Sequence, residues 1–334
     1  MKVAMPILFP FGIAYSNRSL EFEIDLMLFQ SLTKHNGQKV AVKVDLIKAP
    51  LLLEKDLSYG GWTISAWLAN QYHNHFFSIE NQWTLTIETN SDIRAIATEY
   101  SAPSDMEREF WCALAVLLQG ALSIFGYTRI EPFIHLAEGE VLLNSRLSPM
   151  LNQSWFHDEL GLKLIFHDDN YKIGKSVAKD YPILYPHLAE SVQPLNWGRV
   201  CERESVIASN EVYHFGNVLA ELIRQHPGTD YAPIIGLLTA FTEGLLKISG
   251  ENTFKFSLKM ANIFSDPKLM PVAKRIYGQR STFFHNAIAA RPTDIFEFAT
   301  IEFMILAIRK IFMFGFDTKI DASSFDFPLP RQHG

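Results

Sequence analysis

The order of apolar and polar residues divides the chain into a strand-rich first part and a helical last part. Apolar and polar residues alternate in KVAVKVDLI (residues 39–47) and in QWTLTIETN (residues 82–90). This alternation is typical of strands with one buried face. Asn36 and Gly37 precede the first of these segments and favour a tight hairpin turn. We therefore predict strands as the main elements of residues 1 to about 100.

A long apolar helix is predicted to follow these strands. The segment SAPSDMEREFWCALAVLLQGALSIFGY (residues 101–127) has acidic residues near its start and apolar residues on nearly every side of its body. Such a helix is buried on all faces, and Gly126 is a good terminator. We expect it to lie deep inside an N-terminal domain.

Helical periodicity dominates the chain after residue 204. Five helices joined by short connections are predicted, in the segments 209–226, 231–250, 252–266, 267–287 and 293–316. The fold class is therefore α+β: a mixed α/β domain over residues 1–203, a helical bundle over residues 204–316, and a proline-containing tail over residues 317–334. The boundary near residue 200 follows an extended segment with several prolines.

Composition and charge restrict the class of protein. A net charge of −6 and a pI of about 6.0 argue against a general nucleic-acid coat, although a small and locally basic site remains compatible with them. Two cysteines, Cys112 and Cys201, fit a reducing compartment and exclude a cysteine-rich zinc module. The longest apolar runs are short for a membrane span or contain charges. We expect a soluble, cytoplasmic protein that uses no membrane.

One short stretch of the helical part carries unusual chemistry. RIYGQRSTFFHN (residues 275–286) places Arg280 and His285 among Tyr277, Phe283 and Phe284. A guanidinium is costly to bury unless a partner neutralises it. The two side chains either reach solvent past the aromatic residues or face a polar cleft. On spacing alone, a salt-bridged helix surface and a hydrogen-bonded histidine are the simpler explanation of the pair.

The wider segment resembles a known family. LLTAFTEGLLKISGENTFKFSLKMANIF (residues 237–264), followed by VAKRIYGQRSTFFHN (residues 272–286), resembles the Apea-like branch of the HEPN domains. That branch shows a helix with an acidic residue, a helix of the type FxFxLxxA, and then YxxRSxxxHG. The resemblance covers roughly residues 205–316 and leaves the first 200 residues unassigned. Asn286 stands where the family pattern has glycine.

The resemblance implies a metal-independent endoribonuclease without cofactors, with RNA as its substrate. In such families, two copies of the arginine-and-histidine helix meet across a twofold axis and form one cleft, so we expect a homodimer through the C-terminal helices. A role as a toxin or defence effector is implied, with an antitoxin or another regulator as a partner.

Two residues are expected to carry the reaction. His285 would act as acid and base, because an imidazole titrates near neutrality. Arg280 would bind and stabilise the phosphate through its planar fork of donors. On an ideal helix the two residues are about 140° apart, so both can border a cleft between helices.

The resemblance also assigns supporting residues. Glu243, on an earlier helix, matches the family acid and would orient Arg280 through a salt bridge or contribute to the cleft. Tyr277 would stack on a base or on the guanidinium. Ser281 and Asn286 belong to the same motif and complete the expected substrate-binding or supporting set.

Two other functions stay open. Helical domains of this type can keep the scaffold without the activity, so a non-catalytic module for dimerisation or for nucleotide or RNA binding is the alternative. An unrelated small-molecule enzyme in residues 1–200 is a third hypothesis, which no motif supports. Histidines and acids gather in SWFHDELGLKLIFHDDN (residues 154–170) without the spacing of a metal site. No metal is expected.

Overall fold

The chain forms two compact units, each with its own set of elements. The computed structural model describes residues 2–8, 18–29, 38–48, 58–59, 62–63, 83–90, 93, 103–126, 129–130, 133–136, 141–144, 183–184, 186–188, 196–202, 207–224, 232–250, 252–286 and 294–315. The first unit contains residues 1–157 and 193–227, and the second contains residues 158–192 and 228–334. Strands occupy the first unit and helices follow them, so the predicted α+β class is confirmed at this level.

An antiparallel sheet forms the frame of the first unit. The strands are β1 (Lys2–Leu8), β2 (Arg18–Asp25), β3 (Lys39–Ile47), β4 (Ser58–Tyr59), β5 (Trp62–Thr63), β6 (Trp83–Thr89), β7 (Arg129–Ile130), β8 (Phe133–Leu136) and β9 (Val141–Leu143). The sheet has the order β2-β3-β6-β1-β8-β9, and β7 pairs with the end of β1. The two short strands β4 and β5 pair separately. Both segments with alternating apolar residues are therefore strands, as predicted.

One face of the sheet carries the apolar core of this unit. Because successive side chains point to opposite faces, the register places Val44 beside Ile87 and Ile87 beside Val3 on a common face. All three side chains are almost completely buried. The opposite face carries Lys43 and Glu88, which face each other across β3 and β6.

Besides a short 3₁₀ helix at Leu26–Leu28, the described part of the first unit has three α-helices: α1 (Pro103–Phe125), α2 (Trp197–Glu202) and α3 (Asn210–Arg224). Helix α1 is joined to the sheet region because the backbone N–H of Ile130 donates to the side chain of Gln119, at 2.7 Å. The amide of Asn144 also donates to the carbonyl of Cys112, at 3.0 Å. The predicted apolar helix is confirmed, and it ends immediately before Gly126.

Helices α1 and α3 pack so closely that their backbones touch. At the crossing, a Cβ atom added to Gly216 would lie 2.1 Å from the carbonyl oxygen of Val116, and one added to Gly120 would lie 2.4 Å from that of Val212. Real side chains essentially never approach a backbone oxygen so closely. Only glycine at both positions permits this crossing.

The packing of α3 differs from the expected domain division. The sequence pattern assigns residues 209–226 to the C-terminal bundle, but α3 packs against α1 and groups with the first unit. The physical reason is the glycine contact, which joins two helices that lie far apart in the chain. The expected tail, residues 317–334, lies outside the described residues.

The second unit contains four long helices among its described residues: α4 (Ala232–Leu245), α5 (Asn252–Ile263), α6 (Leu269–Asn286) and α7 (Asp294–Gly315). Helix α6 packs against α4 and α5, and α7 packs against the same two helices. Aromatic rings fill the interior; for example, the rings of Phe264 and Phe303 stack with centroids 4.7 Å apart. The predicted helices of this region are all present, together with α3 in the first unit.

One helix in the described ranges is long and apolar enough to cross a membrane. It comprises Asp105–Phe125 within α1, and 83% of its most apolar window is buried inside the fold. A core helix of this kind passes the same test of length and composition as a membrane span. The finding therefore leaves the expected localisation as a prediction.

The helix crossing at Gly216 yields a prediction about stability. Replacing Gly216 with Ala forces α1 and α3 apart, because the new methyl would overlap the carbonyl of Val116. We expect the free energy of unfolding to fall by at least about 2 kcal/mol, measured by denaturant titration. Gly198→Ala, in α2 of the same unit, is the control, since its methyl meets nothing closer than 3.4 Å. Equal effects of the two changes would contradict this close crossing.

A carboxyl group in α7 makes the protein sensitive to pH. Burial raises the pKa of Glu302 from 4.5 to about 7, and the nearby positive charge of Arg309 opposes this shift. Residue Glu302 is itself partly exposed, so this pKa is an upper limit. The folded state therefore holds a proton on Glu302 in a pH range where the unfolded chain has lost it.

The sign of the resulting pH dependence can be tested with Glu302→Gln. Because the folded pKa is the higher one, the stability of the wild-type protein falls as pH rises from 4.5 through about 7. The neutral variant does not undergo this loss, so its advantage should grow by up to about 3 kcal/mol over that range. Denaturant titrations at several pH values measure it. An advantage that stays constant with pH would contradict the expected protonation, and Glu211→Gln controls for removing an exposed charge.

Candidate functional site

Three polar side chains connect α4 with α6. The guanidinium of Arg280 pairs with the carboxylate of Glu243, with Nη2 and Oε2 3.2 Å apart. The hydroxyl of Tyr277 donates to the other oxygen of the same carboxylate, Oε1, at 3.0 Å. Glu243 thus binds two residues of α6 at once.

Helix geometry explains why these residues meet. Tyr277 and Arg280 are three residues apart, so their side chains share one face of α6. Glu243 lies in the last turn of α4, the helix against which α6 packs. The side chains of Arg280 and Glu243 are only 25% and 13% exposed, so their charges attract each other with less screening than on an open surface.

Aromatic rings enclose the guanidinium of Arg280. Its central carbon lies 5.4 Å from the ring centroid of Tyr277 and 5.5 Å from that of Phe284. Both distances are within the range of cation–π attraction. The Tyr277 ring also contacts that of Phe256, with centroids 5.3 Å apart, whereas Phe284 is 49% exposed. The guanidinium therefore lies close to one buried ring and one exposed ring.

The environment keeps Tyr277 protonated. Burial is the main cause that raises the pKa of its hydroxyl, and the hydrogen bond to Glu243 raises it further. Asn252 and the charge of Arg280 lower this pKa. Tyr277 consequently acts as a donor that holds Glu243 in place.

Arg280 retains unused hydrogen-bonding capacity. A guanidinium has five N–H donors, and Glu243 pairs with one of its terminal nitrogens. The Nε atom is buried and has no hydrogen-bond partner among the described residues. Glu243 thus orients a side chain that is 25% exposed, while the Nε donor stays inside the fold.

The structure locates the predicted site residues with different degrees of detail. Arg280, Glu243 and Tyr277 are brought together. Of the two roles expected for Glu243, a salt bridge to Arg280 or a contribution to the cleft, the structure contains the salt bridge. Ser281 follows Arg280 on α6 and is partly exposed. The catalytic and supporting roles of these residues remain predictions.

His285 occupies the last turn of α6. It follows Arg280 by five residues, which corresponds to about 7.5 Å along the axis and about 140° around it. Asn286 is the last residue of the helix, at the position where the family pattern has glycine. The side chains of these two residues lie outside the described part of the structure.

Several features of the site have no clear signal in the sequence. Asn252 begins α5 and lowers the pKa of Tyr277, but a single asparagine after a turn gives no indication of such an influence. In the first unit, a cavity of about 660 Å³ opens on the sheet and is lined by residues that include Glu21, Lys43 and Glu88. Alternation in the strands predicts that these residues face outward, but not that they border a cavity.

No metal site is found within the described ranges, where no group of three or more potential metal-binding residues comes together. The segment 154–170, with its histidines and acids, lies outside these ranges. Comparisons with known proteins add no assignment: no family model matches the chain, and neither a curated protein nor a solved structure matches it significantly.

The shared carboxylate can be tested through stability. Glu243→Ala leaves a partly buried guanidinium without its counter-charge and Tyr277 without its acceptor. We expect the free energy of unfolding to fall by about 2–3 kcal/mol. Tyr277→Phe removes one hydrogen bond and should cost about 1 kcal/mol. Denaturant titration compares the variants, and a smaller loss for Glu243→Ala than for Tyr277→Phe would contradict the central position of Glu243.

Proposed function

We propose that the C-terminal helices form a HEPN-type bundle of the Apea-like branch, and that this bundle is a metal-independent endoribonuclease. The observation that carries the proposal is the pairing of Arg280 with Glu243 on two adjacent helices. This pair supports the motif resemblance, because it joins the family acid to the family arginine. His285 follows on the same helix.

The reaction class follows from the chemistry of RNA. His285 accepts the proton of a 2′-hydroxyl, and the 2′ oxygen then attacks the adjacent phosphorus atom. The bond between phosphorus and the 5′ oxygen breaks, and that oxygen receives a proton from an imidazolium. The products are a 2′,3′-cyclic phosphate and a 5′-hydroxyl. Arg280 stabilises the charge that develops on the non-bridging oxygens.

Glu243 and Tyr277 act as positioning residues in this scheme. An arginine side chain loses much conformational freedom when it binds a phosphate, and a guanidinium that is already oriented loses less. The salt bridge and the ring of Tyr277 hold Arg280 in one orientation before RNA arrives. A phosphate oxygen would bind the accessible part of the Arg280 side chain, which is 25% exposed.

The full protein would act as a homodimer through the C-terminal helices, in a toxin or defence role and under control of an antitoxin or another regulator. The first unit would position RNA or respond to a trigger. A cytoplasmic location fits the expected substrate.

A second function is favoured by the same ion pair. Glu243 neutralises the charge of Arg280, and the chain as a whole carries a net charge of −6. Both features weaken attraction to a phosphate backbone. The bundle would then be a non-catalytic module for dimerisation or for nucleotide or RNA binding.

The cleavage of RNA by the full chain tests the proposal. We expect cleavage in the presence of a chelator, with a loss of about a hundredfold or more in rate for His285→Ala and for Arg280→Ala. Mass spectrometry should detect the cyclic phosphate at the new 3′ ends. His214→Ala and Arg108→Ala, at exposed positions of the first unit, are the matched controls and should retain the rate.

Two outcomes would contradict the nuclease. One is cleavage that His285→Ala leaves unchanged, since a contaminating enzyme would then be responsible. The other is absence of cleavage by the wild-type protein together with a stable dimer that depends on α6 and α7, which would support the non-catalytic module.

A further inference from the structure

An exposed phenylalanine lies directly beside the arginine of the candidate site. Phe284 follows Arg280 by four residues, so the two side chains share one face of α6. The guanidinium lies 5.5 Å from the ring centroid of Phe284, and about half of this phenylalanine is exposed. A single exposed apolar side chain is ordinary on a protein surface. What distinguishes Phe284 from the similarly exposed Phe254 is the guanidinium beside its ring.

The position of the ring relative to the charge restricts the ligand. A group that accepts hydrogen bonds from Arg280 would bring its neighbouring atoms over or beside Phe284. A nucleotide has the required form, because it joins an anionic phosphate to a flat base through one sugar. Stacking of bases on aromatic rings adjacent to a positive charge is a general mode of binding single strands.

We propose that Phe284 is a stacking platform for one unpaired RNA base, next to the phosphate that Arg280 binds. This inference rests on the proposed function and adds the substrate class: single-stranded RNA in preference to duplex RNA. In an A-form duplex the bases stack on each other, and a protein ring cannot reach their faces. A base must therefore be unpaired before it can stack on Phe284.

Tyr277 does not provide this platform. Its ring is 6% exposed, contacts Phe256 and carries a hydroxyl that is bound to Glu243. The two rings beside Arg280 thus differ: Tyr277 is buried, and about half of Phe284 is exposed.

Binding measurements with the full chain test the platform separately from cleavage. The probe is a fluorescent RNA of about ten nucleotides, used unpaired and as a duplex with its complement, and fluorescence anisotropy reports binding. All proteins carry His285→Ala, so that the probe remains intact. We expect Phe284→Ala to weaken binding of the unpaired probe roughly tenfold and Phe284→Trp to preserve it, while binding of the duplex stays unchanged.

The matched control is Phe254→Ala. Phe254 is an exposed phenylalanine on α5, with 54% of its surface accessible, and it belongs to the FxFxLxxA segment rather than to the residues proposed to bind RNA. This change should leave both affinities unchanged.

The outcomes separate the platform from the nuclease. Weaker binding of the unpaired probe by Phe284→Ala supports the platform even if the wild-type protein cleaves no RNA, and in that case only the nuclease fails. Equal effects on both probes, or no effect on either, overturn the platform even if cleavage occurs.

Sedimentation of the Phe284→Ala variant provides a further check. Conversion of a dimer into monomers would overturn the platform and assign Phe284 to the contact between two copies of the chain.

Discussion

The carboxylate of Glu243 is the interaction on which the arrangement of the candidate site depends. It accepts a hydrogen bond from Tyr277 with one oxygen and pairs with Arg280 through the other. A partly buried guanidinium without this counter-charge would be unfavourable, and a buried tyrosine hydroxyl without an acceptor would be unfavourable as well. One carboxylate satisfies both groups and holds α6 against the end of α4.

The same arrangement connects stability with the proposed chemistry. A guanidinium that is fixed by a carboxylate and a ring cannot turn away from its site, so less freedom is lost when a phosphate binds. The carboxylate also reduces the net positive charge, which lowers the attraction to any polyanion. The salt bridge therefore orients the Arg280 guanidinium but reduces the positive charge of the site. A neighbouring ring that adds stacking energy, as proposed for Phe284, compensates for a weaker electrostatic attraction.

Close contact between backbones has a comparable effect in the first unit. Gly120 of α1 and Gly216 of α3 each lie against a backbone carbonyl oxygen of the other helix. This contact places a helix from the later half of the chain in the first unit. The core of this unit is therefore built from two separated segments of sequence. The cavity on its sheet lies in the same unit and is lined by charged residues of β2, β3 and β6.

Local patterns in the sequence determined most of the elements. The alternating segment 39–47 is β3 residue for residue, since a strand with one buried face requires this alternation. The helices of the second unit follow from their apolar periodicity and from their terminating residues in the same way. The aromatic residues around Arg280 in the sequence also indicated that its guanidinium, if buried, needed a partner of opposite charge.

Only the tertiary structure decided which segments meet. The contact between α1 and α3 joins residues about a hundred positions apart, and glycine in the middle of two helices does not reveal its partner in the sequence. The positions of Phe284 and Asn252 relative to Arg280 and Tyr277 likewise depend on how α5 and α6 pack and on side-chain geometry. Periodicity acts within one element, whereas these contacts depend on distances between elements, which a linear pattern does not contain.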